Sequence, residues 1–285
     1  MSKIKEVYLP FGGGLGDVFY EYFRGKHGWS YLDSLKNKYP NIKVKILSST
    51  HNHQSLKFIK FHPHVDSMKE LGWMTDARSL WEKHRGNAVR LEDAVKEKRL
   101  LGLSEKKQVL HLGSEDKQEL KRITSAGKFV VVHPFAGGRD RIAIKTPDYI
   151  RLIDQIIEDL GYNVVVIGAT HVRNNINNPV KVDEVFDYRR KKLFNLVNAS
   201  NARVVMALIQ KQTHFVGAGS AWACASWLHK KPNSILVPKQ YEDGLRKRHR
   251  RGNRWHGTPK IHIHAVENNE NKVIIDVLEN IKNAK

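Results

Sequence analysis

Leu9-Pro10-Phe11-Gly12-Gly13-Gly14-Leu15-Gly16-Asp17-Val18 joins an apolar β-type run, Val7-Tyr8-Leu9, to a segment from Val18 to Phe23 that can continue as a helix. A strand, a glycine-rich turn and a helix start in succession place free backbone N–H groups at the open edge of a sheet, where they meet phosphate or sugar oxygens. Glycine is needed because the chain turns sharply and a Cβ would obstruct an approaching molecule. Asp17 closes the turn, placed either to reach into a cleft or to cap the helix. The usual dinucleotide-binding spacing is not clearly present, so the turn alone does not name a cofactor.

Outward from this turn, Tyr31 to Lys36 is apolar at helical spacing and Ile42 to Leu47 alternates as a strand. Strand, helix and strand form the βαβ unit of a parallel sheet. His51-Asn52-His53 follows the second strand at the edge where ligands bind such sheets, and reads as loop histidines. Val109-Leu110-His111-Leu112 is expected as a last strand of this half, and Glu115 to Thr124 as a charged connecting helix.

A second start follows. Phe129-Val130-Val131-Val132-His133 is continuously apolar, the mark of a strand buried on both faces. It ends in a small-residue turn, Phe135-Ala136-Gly137-Gly138-Arg139, and Tyr149 to Ile157 is an amphipathic helix with Pro147 near its first turn. Val164 to Gly168, His214 to Gly217 and Ser234 to Pro238 are further strands, with Ala218-Gly219-Ser220 opening a helix. Lys260 to Ala265 alternates as an edge strand, and Asn271 to Ile281 is a closing amphipathic helix. The fold class is α/β, with two Rossmann-like domains facing across a cleft. The expected domains are 1–125 for the acceptor, 126–265 for the donor, and a C-terminal helix, 266–285, packing back toward the N-terminal domain.

The 285 residues carry 49 Lys and Arg against 29 Asp and Glu, a net charge of +20. Such an excess favours polyanionic partners: nucleic acid, an anionic membrane surface or phosphate-rich substrates. Cys224 is the only cysteine, which excludes an internal disulfide and suits a cytoplasmic setting. No run approaches the roughly 20 apolar residues of a membrane span, and the N-terminus lacks the apolar core of a signal peptide.

Three places resemble a known family. Gly14-Leu15-Gly16-Asp17, then Val131 to Gly138 with Lys145-Thr146-Pro147-Asp148-Tyr149, and finally Asn195-Leu196 with Val216 to Ser220 up to Lys231-Pro232, are similar to the GT-B glycosyltransferases, closest to their heptosyltransferase-like group. The resemblance implies that Asp17 is the catalytic base. It implies that Gly137, Gly138, Lys145, Gly219 and Ser220 belong to a donor site and that a nucleoside-diphosphate sugar is the co-substrate. The residues themselves add Arg139 and Arg141, which follow a buried-type strand end and suit the diphosphate, and Gly168 and Thr170 at the next strand end, beside the donor's base or ribose. The chain departs from the family where Ala218-Gly219-Ser220 replaces an Asp-Ser/Thr-Gly triplet, and where Ala223 or Cys224 replaces a histidine. With no Asp-x-Asp pair, cations and helix N-termini, rather than a metal, are expected to hold the diphosphate. His133 reads as a core histidine.

The acceptor is read from the surface charge. Arg246, Lys247, Arg248, Arg250, Arg251 and Arg254 fall within nine positions and Trp255 follows, a pattern fit to hold phosphates and stack on a base. Arg189-Arg190-Lys191-Lys192 is a second cluster. The expected acceptor-binding set is Gly13, Gly14, His51, Arg246, Arg248, Arg250, Arg251, Arg254 and Trp255. The leading expectation is an inverting, metal-independent transferase acting on hydroxymethylated DNA, as in phage DNA-modifying glucosyltransferases. Its alternatives are an anionic lipid-linked oligosaccharide such as lipopolysaccharide core, reached by peripheral membrane contact, and a non-catalytic nucleic-acid-binding protein.

Overall fold

The structure is a computed structural model describing residues 4–12, 15–49, 58–59, 62–72, 76–134, 143–168, 171–175, 178–181, 188–198, 201–251 and 261–284. At 15–18, 171–175, 178–181 and 247–251 the backbone alone is described. Two separate parallel sheets organise the chain. One unit comprises residues 1–113 with 201–203, and the other residues 114–200 with 204–285.

In the first unit β1 (Glu6–Phe11), β2 (Lys43–Ser48), β3 (Ser67–Glu70) and β4 (Val89–Arg90) stand in the order β3-β2-β1-β4, all parallel. The chain then forms α1 (Leu15–Phe23), followed by α2 (Leu32–Lys38). Phe19, Tyr22 and Phe23 are buried at helical spacing. Tyr22 meets Phe58 and Trp29 edge-on, with ring centroids 5.3 and 5.1 Å apart, the arrangement that sets a ring's positive edge against a negative face. Two further helices, α3 (Ala77–His84) and α4 (Leu91–Lys96), flank β4, and Asp76 caps α3 by accepting from the Ser79 amide at 3.1 Å.

The expected strand at Val109–Leu112 does not form. Residues 103–113 are irregular and are tied down by side chains instead. Tyr22 Oη donates to the Val109 carbonyl and Gln108 Nε2 to the Trp29 carbonyl, each at 2.7 Å. Val109 stays 55% exposed, so its apolar neighbours never made a buried ladder.

The second unit opens with α5 (Ser114–Thr124), the charged connecting helix. β5 (Phe129–His133), α6 (Thr146–Glu158) and β6 (Asn163–Val166) follow. An antiparallel hairpin, β7 (His171–Asn175) with β8 (Asn178–Lys181), precedes β9 (Leu193–Asn195). Then come α7 (Ala202–Lys211), β10 (His214–Ala218), α8 (Ala221–Leu228), β11 (Asn233–Pro238), α9 (Glu242–Arg251), β12 (Ile261–Val266) and α10 (Glu270–Lys282). The sheet order is β12-β11-β10-β5-β6-β9, with every pairing parallel. Counted within the unit, that is the 3-2-1-4-5-6 order of a doubly wound nucleotide-binding sheet. β5, β6 and β10 are buried along their whole length, as their apolar runs require.

The closing helix is anchored within its own unit. Val273, Ile274, Val277 and Ile281 of α10 are buried in the second unit's core, with Ile153 and Ile156 of α6 and Val130, Val216 and Leu236 of the sheet. Each such buried aliphatic side chain is worth about 1.5–3 kcal/mol, so four of them fix the helix firmly.

Candidate functional site

In an open parallel sheet, ligands bind outside the carboxyl ends of the strands where the strand order reverses. In the second unit that point lies between β5 and β10. β5 ends at His133, and β10 runs into Gly219-Ser220 and then α8. The two strands approach so closely that a Cβ on Gly217 would overlap the His133 carbonyl oxygen and sit 3.0 Å from the carbonyl carbon and Cβ of His133. Only glycine lets this crossing close.

Ser220 caps α8, its Oγ accepting from the Ala223 amide at 3.4 Å. The same oxygen lies 3.1 Å from His133 Nδ1. His133 is 5% exposed, and burial keeps its imidazole neutral, with a pKa pushed down to about 3. It is the core histidine expected from the sequence, but a polar contact ties it to the helix start. Gly219 is different from Gly217: a Cβ there would meet Leu245 and Ile235 at 3.7–3.9 Å, ordinary contact. Packing does not demand glycine at that point, whereas the close approach of a ligand to the backbone would.

Lys145 stands immediately before α6, exposed, in an extended conformation (φ −77°, ψ 161°), and its side chain does not cap the helix. Its ammonium is therefore available to an anion arriving at that helix start. Gly168 follows β6 at φ +132°, a backbone state that favours glycine, and its carbonyl accepts from the Asn198 amide at 2.9 Å. Gly137, Gly138, Arg139, Arg141 and Thr170 lie outside the described residues.

In the first unit the order reverses at β1, between β2 and β4. Asp17 lies in the first turn of α1, directly beyond that point. Gly12 is crowded from behind: a Cβ there would come 2.6 Å from Ser49 Oγ and 3.0 Å from the Trp81 ring. Gly13, Gly14 and His51 lie outside the described residues.

The basic runs divide. The first run is helical through Arg251, with Glu242 and Asp243 in the first turn of α9, where the helix dipole favours acids. Arg246 turns back into the fold, donating to Glu242 Oε1 at 2.8 Å and to the Ile263 carbonyl at 3.2 Å. Arg248, Arg250 and Arg251 follow on the same helix; Arg254 and Trp255 lie outside the described residues. In the second cluster Arg190 is paired with Asp154 and with Glu158, the latter at 2.9 Å, and Lys192 donates to the Gly161 carbonyl. Part of that cluster's charge is thus used within the fold.

Sequence reading missed the His133–Ser220 contact and the crowding of Gly12 by Trp81. The first depends on sheet order, which brings the ends of strands one and four together across 87 residues of sequence. The second had no local signal, because Trp81 arrives from a helix distant in sequence. Among the described residues no group of three His, Cys, Asp or Glu is arranged to hold a metal ion. Among them, too, no helix is long and apolar enough to cross a membrane.

Two parallel Rossmann-like sheets, each with a glycine-bearing turn at its switch point, define the GT-B type of fold. Solved structures agree over the full length of the chain. The E. coli ADP-heptose LPS heptosyltransferase II superposes with a TM-score of 0.54 at 13% identity, covering 98% of each chain. A glycosyl transferase family 9 protein from Veillonella parvula DSM 2008 gives 0.57 at 11% identity, covering 100% of this chain and 97% of its own. E. coli heptosyltransferase WaaC, with ADP-2-deoxy-2-fluoro heptose, gives 0.51 at 11% identity over 96% and 99%. No family model and no curated protein sequence matches the chain.

Proposed function

We propose that the protein is a nucleotide-sugar-dependent glycosyltransferase that works with inversion and without a metal. Residues 126–265 would hold the donor and residues 1–125 the acceptor. The observation that carries this reading is the switch point of the second sheet, where Gly219 and Ser220 open α8 beside the end of β5. Full-length fold likeness to an enzyme named an ADP-heptose LPS heptosyltransferase, and to a heptosyltransferase solved with ADP-2-deoxy-2-fluoro heptose, supports the donor class.

In the proposed reaction the acceptor hydroxyl oxygen attacks the anomeric carbon and its proton passes to the Asp17 carboxylate. The bond from that carbon to the diphosphate breaks, and the electron pair leaves with the diphosphate. Arg139, Arg141, Lys145, the Ser220 hydroxyl and the N–H groups of Gly137, Gly138 and Gly219 receive the developing charge. Gly168 and Thr170 lie beside the donor's ribose or base.

For the acceptor, an anionic lipid-linked oligosaccharide of the lipopolysaccharide-core class is favoured over DNA. It agrees with the net charge of +20 and with a neighbour described as an LPS heptosyltransferase. Hydroxymethylated DNA is kept as a second reading because Arg248, Arg250, Arg251, Arg254 and Trp255 follow one another closely. The test is a mass shift on each acceptor incubated with a panel of ADP-, UDP- and GDP-sugars. Transfer to the lipid-linked glycan alone supports the main reading, transfer to DNA alone selects the second, and neither binding nor hydrolysis of any donor sinks both.

A further inference from the structure

We propose that His133 is a positioning residue for the donor, acting through Ser220: its ring donates from Nδ1 to Ser220 Oγ and so leaves the serine proton free for a phosphoryl oxygen. This rests on the donor-binding role assigned to Ser220 above.

A serine hydroxyl has one proton and two lone pairs. One lone pair of Ser220 takes the Ala223 amide, which starts α8. His133 Nδ1, 3.1 Å away, uses one of the two remaining valences. A neutral imidazole carries its proton on one nitrogen only. If that nitrogen is Nε2, Nδ1 accepts the Ser220 proton, and an arriving phosphate meets only a lone pair. If it is Nδ1, the ring fills the second lone pair and the proton of Ser220 is turned outward. An anionic donor requires the second arrangement.

The surroundings hold that pair in place. His133 is the register partner of Gly217, and the missing Cβ of Gly217 lets the two backbones close on each other. The imidazole is buried at the end of a strand that is itself buried throughout, so the ring has little freedom to turn away. Burial also disfavours the imidazolium, which would add a charge to the core. A serine hydroxyl that would otherwise rotate is thus held with one orientation before the donor arrives, which lowers the ordering cost of binding.

The test measures ADP binding by calorimetry for the wild-type protein, His133→Leu, His133→Asn, Ser220→Ala and the double variant His133→Leu/Ser220→Ala. We expect His133→Leu and Ser220→Ala each to weaken ADP by about 10- to 150-fold, the worth of one hydrogen bond to a charged group. The double variant should be no weaker than either alone, and His133→Asn, whose side-chain amide can still donate to Ser220, should stay within about 3-fold of wild type. Unchanged ADP affinity in His133→Leu, or losses that multiply in the double variant, overturn the inference while leaving the donor site standing. Should the wild type bind UDP or GDP in place of ADP, the same comparison is made with that nucleotide; absence of binding to all three removes the Ser220 assignment and the inference with it. Nitrogen-15 spectra of the wild-type protein, which need no substitution, should show His133 protonated on Nδ1; protonation on Nε2 overturns the proposal directly.

Discussion

At Gly12, just past the end of β1, the space a Cβ would fill is taken by Ser49 Oγ and the Trp81 ring. At Gly217, in β10 of the second sheet, it is taken by the carbonyl of His133. Both glycines sit where strand order reverses, and both bring a neighbour against the main chain. The neighbours differ in kind: two side chains can shift, whereas a carbonyl held in a parallel ladder cannot. The first edge is accordingly adjustable and carries the carboxylate read as the base. The second is rigid, and a rigid frame suits a donor whose diphosphate must be met by fixed dipoles.

The sharpest way to separate the two edges is Asp17→Asn. Sugar transfer should fall by about 10²–10⁴-fold, the usual contribution of a general base, while ADP affinity measured by calorimetry stays at the wild-type value. Unchanged transfer would remove the first edge from the chemistry altogether. Next come the glycines themselves. Gly217→Ala should destabilise by about 3 kcal/mol or more in chemical denaturation, against about 1 kcal/mol for Gly12→Ala, where Ser49 can rotate aside. Equal losses would break the distinction between a rigid and an adjustable edge.

Acid should also act unevenly. His62 in the first unit is held neutral by burial, its pKa pushed down to about 4. Its Nδ1 accepts from the His64 amide, and its Nε2 faces Gln108 Oε1 at 3.1 Å. In the second unit His214 and His264 are pushed down to about 3 and about 4, again chiefly by burial. In each case the unfolded chain binds a proton that the folded chain refuses. Stability is therefore full above pH about 6.5 and declines as pH falls, by up to about 1.4 kcal/mol per pH unit for each group, until the folded-state values are reached. With His133, His214 and His264 lowered by burial in the second unit against His62 and His111 in the first, the second unit should lose stability more steeply between pH about 6.5 and about 4, as followed by hydrogen exchange resolved by unit; equal slopes would contradict the burial argument.

The smallest effect concerns the basic clusters. Changing Arg248 and Arg250 together to Ala should lower the log–log salt dependence of polyanion binding by about 2, one for each phosphate that is no longer neutralised. Arg190→Ala should leave it unaltered, because that guanidinium is already paired with Asp154 and Glu158. A matching drop for Arg190 would mean that an exposed internal pair gives way readily to an outside phosphate.

Much of the architecture was legible without coordinates. Val130 to Val132 and Val164 to Val166 are apolar without alternation, and only a strand covered on both faces keeps such a run. Val109 to Leu112 looked similar over too short a span, and Tyr22 and Gln108 drew that segment into a side-chain-tied strap. The face of α10 was legible as apolar, but its target was not: periodicity says that a face must be buried and leaves open against what. For the site, the glycine turns and Lys145 were marked by their neighbours in sequence. The partner of Ser220 was not, because it lies 87 residues away.

The sequence by itself determined that this chain builds two parallel sheets with glycine-bearing turns at their carboxyl edges, because apolar runs, turn residues and helical spacing are local properties. Tertiary structure alone decided which strand ends become neighbours, which arginines are neutralised, and that a buried histidine reaches the serine opening α8. Those outcomes depend on sheet order and on the distance between residues remote in the chain, and no local pattern encodes either.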